Sequence, residues 1–116
     1  MSTGNIWKSL REEAAGIADK EEILREVLDE FVLDRDSLAD ALGWRLAARL
    51  GRSSVPEKDL RELIRDAYLE DDESLLKVCA DVQAVRDRDP ACRDFLSPFL
   101  YFKGFQALAA FRVANF

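Results

Sequence analysis

The end of this chain carries the stretch that decides its fold. Residues 97–116 read SPFLYFKGFQALAAFRVANF, with apolar side chains at most positions around a helical repeat. Ser97 followed by Pro98 is typical of a helix start, because proline is favoured at the first helical position. A helix that is apolar on most sides has to be buried on most sides. The stretch therefore predicts a helix at the centre of a helical domain, at an oligomer interface, or both.

The same stretch lacks the usual signals of a helix end. No glycine, polar tail or basic cluster follows Phe111, and the last residue is Phe116, although such signals commonly close a helix. We therefore expect the chain to be truncated inside this last helix.

Helical periodicity extends through the rest of the sequence. Apolar residues recur at three- and four-residue steps, which is the spacing of one face of an amphipathic helix, and no segment alternates convincingly as a strand. The patterns predict five earlier helices, so that residues 1–116 form one all-α domain of about six helices. The predicted inner faces are Ile6, Leu10, Ala14 and Ile17; Ile23, Leu24, Val27, Leu28 and Phe31; Leu38, Leu42, Leu46 and Leu50; Leu60, Leu63, Ile64 and Ala67; Leu75, Leu76, Cys79, Val82 and Val85.

Short polar side chains, glycine and proline mark the predicted helix boundaries. Asp36 or Ser37 is expected to cap the third helix by accepting a hydrogen bond from its first turn. The other predicted boundaries are Gly51 at the end of the third helix, Ser54 to Glu57 with capping-box spacing before the fourth, Asp71 or Asp72 at the start of the fifth, and Pro90 at its end. The acidic pair Glu12 and Glu13 is expected to be solvated helix surface.

Composition excludes several classes of function. The chain has 116 residues and a formal net charge of -6, as expected for one domain without the basic face that nucleic-acid binding requires. It contains no histidine, so it cannot build a Ser-His or Cys-His nucleophile. Lys103 and Arg112 interrupt the richest apolar run, and no export signal is visible, which predicts no membrane span and no secretion. Cys79 and Cys92 are expected to be thiols in a reducing cytosol.

Two local motifs resemble known binding elements. The aspartates of residues 34–40 suggest a calcium loop, but Ala39 stands where that loop needs glycine and Arg45 where it needs glutamate. Helix capping explains these aspartates instead. Residues 46–55 resemble the turn of a helix-turn-helix DNA reader, yet the next helix balances its cations with carboxylates and gains little from phosphate attraction. A plain helical corner is favoured, and the DNA reader stays as an alternative.

The residues before Pro90 form an unusual run of charges. Arg86, Asp87, Arg88 and Asp89 alternate in sign at a predicted helix C-terminus, where negative charge is unfavourable. In a structural interpretation, the arginines pair with the aspartates and Asp89 caps the turn. In a functional interpretation, the Pro90 turn holds Asp89 where it accepts hydrogen bonds from a cationic ligand.

Several clusters in the second half of the chain resemble one family. Residues 81–85 (DVQAV), 88–91 (RDPA), 98–108 (PFLYFKGFQAL) and 111–112 (FR) have the order and spacing of the N-terminal helical domain of serine acetyltransferase. A looser pattern in the first half agrees, so the resemblance covers nearly the whole chain. Gln106 departs from the histidine that is common in relatives, and no role is assigned to it.

The resemblance implies an activity that belongs to a longer protein. Members of the family acetylate the hydroxyl of L-serine with acetyl-CoA in the cytoplasm, giving O-acetylserine for cysteine synthesis. Their catalytic domain, a left-handed parallel β-helix, follows the helical domain and carries the histidine base and the acetyl-CoA site. The resemblance thus implies that the present chain has no catalytic residue, binds no cofactor or metal, and is inactive alone.

The resemblance also implies a pocket and partners. Asp89, with Pro90, matches the motif at the serine pocket, where cysteine also binds as feedback inhibitor. The helical domains would join two β-helix trimers into a hexamer, and O-acetylserine sulfhydrylase would bind the C-terminus that follows. The alternative from a different class is a stand-alone helical interaction module that assembles through the Phe-rich last helix.

Overall fold

The computed structural model describes residues 3–50, 56–88, 94–101 and 109, which contain helices and no strand. The elements are α1 (Thr3–Lys20); a second segment, residues 22–33, made of a 3-10 turn (Glu22–Leu24), α2 (Arg25–Leu28) and a π-helical turn (Asp29–Leu33); α3 (Leu38–Leu50); α4 (Glu57–Glu70); α5 (Asp72–Arg88); and α6 (Leu96–Tyr101). The predicted all-α fold of about six helices is confirmed. None of the described helices is long and apolar enough to cross a membrane.

α3 contributes more buried residues than any other described helix, seven of its 13. Leu38, Leu42 and Leu46 are buried as predicted, because a four-residue step keeps them on one face. Leu50, predicted on the same face, is half-exposed. That part of the prediction is wrong because Leu50 is the last residue of the helix, where the packing against neighbouring elements ends.

α4 packs on α3 more extensively than any other described pair of elements. Its buried face consists of Ile64 and Tyr68, four residues apart. Leu63 is 65% exposed, so its predicted place on the inner face is wrong. The reason is that a residue next to Ile64 in sequence is rotated by about 100° around the helix, and the buried face of α4 is too narrow to include it.

Gly43 and Trp44 determine how α3 meets its neighbours. A Cβ atom on Gly43 would lie 2.6 Å from the carbonyl oxygen of Arg61, so the close approach of α3 and α4 requires glycine here. The ring of Trp44 contacts two guanidinium groups, with Cζ of Arg35 and Cζ of Arg61 each 3.9 Å from the ring centroid. These cation–π contacts link α3 both to α4 and to the residues that follow the second segment.

The second segment is packed differently from the prediction. Ile23 is 87% exposed, and Leu24 and Val27 are also exposed, whereas Leu28 and Val32 are buried. The predicted inner face is confirmed for Leu28 but wrong for Ile23, Leu24 and Val27, because the segment is not one regular helix. A 3-10 turn, an α-helical turn and a π-helical turn follow each other, and each has its own number of residues per turn.

Two arginines, one on α1 and one on α3, hold the end of the second segment against these helices. Arg11 of α1 donates hydrogen bonds to the carbonyl oxygens of Val32, at 3.3 Å, and Arg35, at 3.1 Å. Cζ of Arg45 in α3 lies 5.1 Å from the ring centroid of Phe31, and Phe31 packs partly against the core as predicted. Polar contacts therefore supplement the limited apolar burial of this segment.

The predicted inner faces of α1 and α5 are largely confirmed. Leu76 is the exception, because it is half-exposed, one position away from the face that Leu75 shares with the core. The confirmed buried residues are Ile6, Leu10, Ala14, Cys79 and Val82, with Ile17, Leu75 and Val85 partly buried against them.

Two predicted helix caps are confirmed by hydrogen bonds. The Asp40 N–H donates to Oγ of Ser37 at 3.2 Å before α3, and the Ser74 N–H donates to Oδ1 of Asp71 at 3.2 Å before α5. Both side chains satisfy an N–H group of a first turn that has no partner within the helix. The predicted boundary residues Gly51, Ser54 and Pro90 lie outside the described residues.

The start of α6 differs from the prediction. The helix begins at Leu96 rather than at Ser97 and Pro98. The Ser97 N–H donates to Oδ1 of Asp94 at 3.0 Å, so the carboxylate of Asp94 caps the first turn in place of the Ser97 hydroxyl. An aspartate three residues before the N–H that it accepts is a typical cap.

Four of the five α6 side chains that the structure describes are buried. Residues 98–100 are buried, and Nε of Arg45 donates to the carbonyl oxygen of Leu100 at 2.8 Å. Further along, Ala109 is fully buried and its carbonyl oxygen accepts a hydrogen bond from the Tyr68 hydroxyl at 2.8 Å. The predicted burial of the last stretch is thus confirmed at these positions, and its other residues lie outside the described part of the chain.

Candidate functional site

The two residues predicted for a ligand pocket, Asp89 and Pro90, lie outside the described residues. The structure does describe the residues on either side of the stretch that contains them, residues 89–93, which we call the α5–α6 connection. α5 ends at Arg88, and the description resumes at Asp94. The candidate site is therefore described from the side chains that lie on either side of this stretch.

Glu13 of α1 holds the chain where it enters α6. The Phe95 N–H donates to the Glu13 carboxylate, with its nitrogen 3.0 Å from Oε1 and 3.1 Å from Oε2. The partners are 82 residues apart in sequence, so the contact ties the first helix to the last one. Leu10 and Ala14, neighbours of Glu13 on α1, are buried and anchor the helix that carries the carboxylate.

Arg86, which precedes the α5–α6 connection, contacts the residue that follows it. Its Cζ lies 4.1 Å from the ring centroid of Phe95, well within the range of a cation–π interaction. The backbone of Phe95 is held by α1 at the same time, and Asp94 caps the first turn of α6. Arg86 near the end of α5 and Phe95 before α6 are therefore in contact with each other, and Phe95 is also bonded to α1.

Burial raises the pKa of the Glu13 carboxyl above its ordinary value of 4.5. The hydrogen bond from the Phe95 N–H opposes this increase, whereas the negative charge of Asp94 adds to it and the positive charge of Arg86 lowers the pKa. A carboxylate that loses hydration in order to accept a backbone N–H is suited to fixing the backbone. No neighbouring nucleophile is described for which it could act as a base.

An open groove of about 270 Å³ adjoins this contact. It brings residues of α1 next to the end of the α5–α6 connection, and both signs of charge are present in its lining. The lining residues are Glu12, Glu13, Gly16, Ile17, Lys20 and Asp94.

A larger cavity of about 650 Å³ lies elsewhere, beside the second segment. Its lining has more acidic than basic residues: Glu22, Glu26, Asp29, Glu30 and Asp34, with Arg25, Arg35 and Trp44. Among the residues that the structure describes, no group of three or more potential ligands is placed to hold a metal ion. This cavity contains none of the residues predicted for the site.

Cys79 is the cysteine that the structure describes, and its thiol is not suited to act as a nucleophile. It is fully buried in α5, and burial raises the pKa of its thiol to about 11. A thiol with such a pKa stays protonated near neutral pH and is a poor nucleophile. The described residues thus position backbone and side chains but carry no assembled catalytic group.

The family model "Serine acetyltransferase, N-terminal" matches residues 6–110 of this chain. The chain belongs to the serine acetyltransferase family. The match includes most of α1 with Glu13, all of α5 and the α5–α6 connection, so the family resemblance is confirmed.

Individual serine acetyltransferases resemble the chain in sequence and structure. The enzyme of Salmonella typhimurium is 37% identical over 110 residues, which cover 95% of this chain and 40% of the relative. A solved serine acetyltransferase in complex with cysteine has a TM-score of 0.92 at 34% identity, covering 99% of this chain and 47% of its own. The Brucella abortus enzyme in complex with coenzyme A has a TM-score of 0.88 at 36% identity, covering 96% and 44%. The chain thus spans less than half the length of these serine acetyltransferases.

Glu13 is the residue of this site that the sequence did not reveal. The pair Glu12 and Glu13 was expected to be solvated surface, and Glu12 is indeed exposed, but Glu13 is half-buried and bonded to Phe95. The prediction for Glu13 is wrong because its partner is a backbone N–H far away in sequence. No local pattern marks such a contact in a serine acetyltransferase domain.

Proposed function

We propose that the chain is the N-terminal helical domain of a serine O-acetyltransferase, which transfers the acetyl group of acetyl-CoA to the hydroxyl of L-serine and gives O-acetylserine for cysteine synthesis. The family match over residues 6–110 is the observation that carries the proposal. The coenzyme A complex of the Brucella abortus relative supports acetyl-CoA as the co-substrate. The whole protein would work in the cytoplasm.

The chemical step is assigned to residues that are not in this chain, which has no histidine. A histidine base in the β-helix domain takes the proton from the serine hydroxyl, and the resulting alkoxide attacks the thioester carbonyl. The tetrahedral intermediate then collapses, the carbon–sulfur bond breaks and the coenzyme A thiolate leaves. This chain contributes no catalytic residue to that sequence and is inactive alone.

In this proposal Asp89 orients the substrate. Its carboxylate accepts hydrogen bonds from the ammonium group of serine, in the turn that Pro90 fixes, and takes no part in proton transfer. The solved relative in complex with cysteine supports the view that the inhibitor cysteine uses the same pocket, because cysteine has the same ammonium and carboxylate groups as serine.

The domain also has a proposed role in assembly. It joins two β-helix trimers into a hexamer, and O-acetylserine sulfhydrylase binds the C-terminal segment of the whole protein. Light scattering on the whole protein tests the hexamer, and a trimeric or monomeric mass would contradict it.

The test of the activity is release of free thiol from acetyl-CoA by the whole protein in the presence of L-serine. Asp89→Ala should raise the KM for serine at least about tenfold, a loss of roughly 1.4 kcal/mol of binding, while the KM for acetyl-CoA changes little. Asp87→Ala is the matched control, because Asp87 belongs to the same run of charges but is exposed and forms an ion pair with its neighbour Arg86.

Two outcomes would contradict these assignments. If the whole protein releases no thiol with serine, the proposed activity is wrong and the stand-alone interaction module is favoured. If Asp89→Ala affects both substrates equally, Asp89 has no specific place in the serine pocket.

A further inference from the structure

Three exposed apolar side chains lie close together on the second segment. Ile23 is 87% exposed, and Leu24 and Val27 are each 37% exposed; we call these three residues the outer face. They lie within five consecutive positions, whereas the other large exposed apolar residues are distributed over α3, α4 and α5. A single exposed apolar residue is common on protein surfaces, but a cluster of them indicates a contact surface.

We propose that the outer face is the surface through which this domain contacts a second copy of itself, across a twofold axis that joins the two trimers of the whole protein. The inference rests on the proposed function, because it assigns a surface to the proposed hexamer. A twofold contact places the same patch on both sides. The apolar side chains of each copy would therefore cover those of the other.

The second segment is attached to the domain through the side opposite the outer face. Leu28 and Val32 are buried and anchor it to the core. Arg25 turns back to the end of α1, where its Nη2 lies 3.4 Å from Oδ1 of Asp19 and 3.5 Å from the carbonyl oxygen of Ala18. The buried and polar contacts thus hold the segment from within and leave the outer face open to a partner.

The position of Ala109 favours a second copy over the β-helix domain as the occupant of the outer face. Its carbonyl oxygen accepts a hydrogen bond from the Tyr68 hydroxyl, and the next residue of α4, Leu69, lines a groove with Gly4 at the start of α1. Ile23 instead follows the end of α1, which rises about 27 Å over its 18 residues. Ala109, the last residue that the structure describes before the proposed β-helix domain, thus lies at the opposite end of α1 from the outer face.

The charges beside the outer face determine how the contact should depend on salt. Glu22 and Glu26 lie next to it and, with three further carboxylates and two arginines, line the cavity of about 650 Å³. A twofold contact would bring two such acidic borders close to each other, so apolar burial has to hold the copies together against charge repulsion. Salt screens this repulsion and favours self-association, whereas it would weaken a contact with a basic partner.

A single contact through the outer face is small. Three side chains per domain cover far less than the roughly 800 Å² per partner that a stable interface buries. Two trimers that share a threefold axis would make the contact three times, however, and linked contacts bind far more tightly than one of them alone. The outer face is therefore suited to joining trimers of the whole protein.

Ile23→Glu in the whole protein tests the proposal by light scattering. A hexamer would bury the new charge six times, so the measured mass should fall from six chains to three. Ile23→Ser removes the apolar side chain without adding a charge, and it should raise the dissociation constant of the two trimers at least about a hundredfold. Because Ile23 is 87% exposed, both variants should keep the helix content of the wild type in circular dichroism.

Leu63→Glu is the matched control. Leu63 is also an exposed apolar residue, at 65%, but it lies on α4, so this variant should keep the mass of six chains. The wild-type mass should also stay at six chains from about 0.05 to about 0.5 M sodium chloride. Dissociation into trimers at high salt would mean that opposite charges join them, and it would overturn the proposal.

The measured masses separate this inference from the proposed function. If the wild type has the mass of three chains or of one, the proposed hexamer fails and the inference with it. If the wild type is a hexamer and both Ile23 variants keep six chains at all concentrations, only the inference is overturned. Loss of the hexamer in Leu63→Glu as well would show that the effect is not specific to the outer face, and would equally contradict it.

Discussion

α3 and the second segment are both rich in apolar residues, yet they bury very different shares of them. In α3, seven of 13 residues are buried, whereas in the second segment only Leu28 and Val32 are. α3 packs against α4 more extensively than any other described pair of elements pack, with Gly43 against the backbone of Arg61. The second segment leaves Ile23 in solvent and changes helix type twice.

This contrast indicates which part of the domain contributes most to its stability. Free energy from burial scales with the apolar area removed from water, so α3 and its contact with α4 should dominate global unfolding. The second segment should open more easily, since few buried contacts and several polar ones hold it. Three substitution experiments test this contrast.

The largest effect is expected from truncating the centre of α3. Leu42 is 1% exposed, and Leu42→Ala should lower the free energy of unfolding by about 3 kcal/mol through lost burial and the cavity left behind. Ile23→Ala, the same kind of truncation in the second segment, should change it by less than about 0.5 kcal/mol. Urea denaturation measures both values, and similar losses would contradict the contrast.

A smaller effect is expected from adding one methyl group to α3. Gly43→Ala places a Cβ 2.6 Å from the Arg61 carbonyl oxygen, which forces α3 and α4 apart and should cost about 2 kcal/mol. In Gly16→Ala the new Cβ meets nothing within 4 Å, so that exposed helical position should gain about 0.5 to 1 kcal/mol. Thermal denaturation of the pair checks this, and a neutral Gly43→Ala would show that the two helices can separate freely.

The smallest effect is expected at the attachment of the second segment. Arg11→Met keeps the apolar stem but removes the hydrogen bonds to the carbonyl oxygens of Val32 and Arg35, at a cost of about 1 kcal/mol. Hydrogen exchange should accelerate in residues 22–33 and stay unchanged in α3. Lys8→Met, an exposed change on the same helix, is the control. Faster exchange throughout α3 in the Arg11 variant would mean that the two regions unfold together.

The same two regions show what helical periodicity can predict. Leu38, Leu42 and Leu46 follow the step of a regular α-helix, and their burial could be predicted because α3 is regular over its length. The exposure of Ile23 and the burial of Val32 could not, because the 3-10 and π-helical turns change the angle between successive residues. Irregular turns depend on tertiary contacts such as those of Arg11, which no local pattern encodes.

At the candidate site, short motifs could be recognised in the sequence, whereas contacts between distant residues are visible only in the structure. Asp89 and Pro90 were predicted from the alternating charges of residues 86–89 and from a family motif, both of which can be read from adjacent residues. Glu13 looked like ordinary helix surface, because its partner Phe95 lies 82 residues away. Such a contact is created when α1 and α6 pack together, so only the folded arrangement reveals it.

Trp44 has a consequence for how the folding of this domain can be observed. Its indole ring has the guanidinium groups of Arg35 and Arg61 at 3.9 Å, and the chain's other tryptophan is Trp7. Indole fluorescence responds to nearby charge, so Trp44 is an intrinsic optical probe placed where α3 meets α4 and the residues after the second segment. With Trp7 replaced by phenylalanine, a single emission signal would follow the assembly of these three elements in real time.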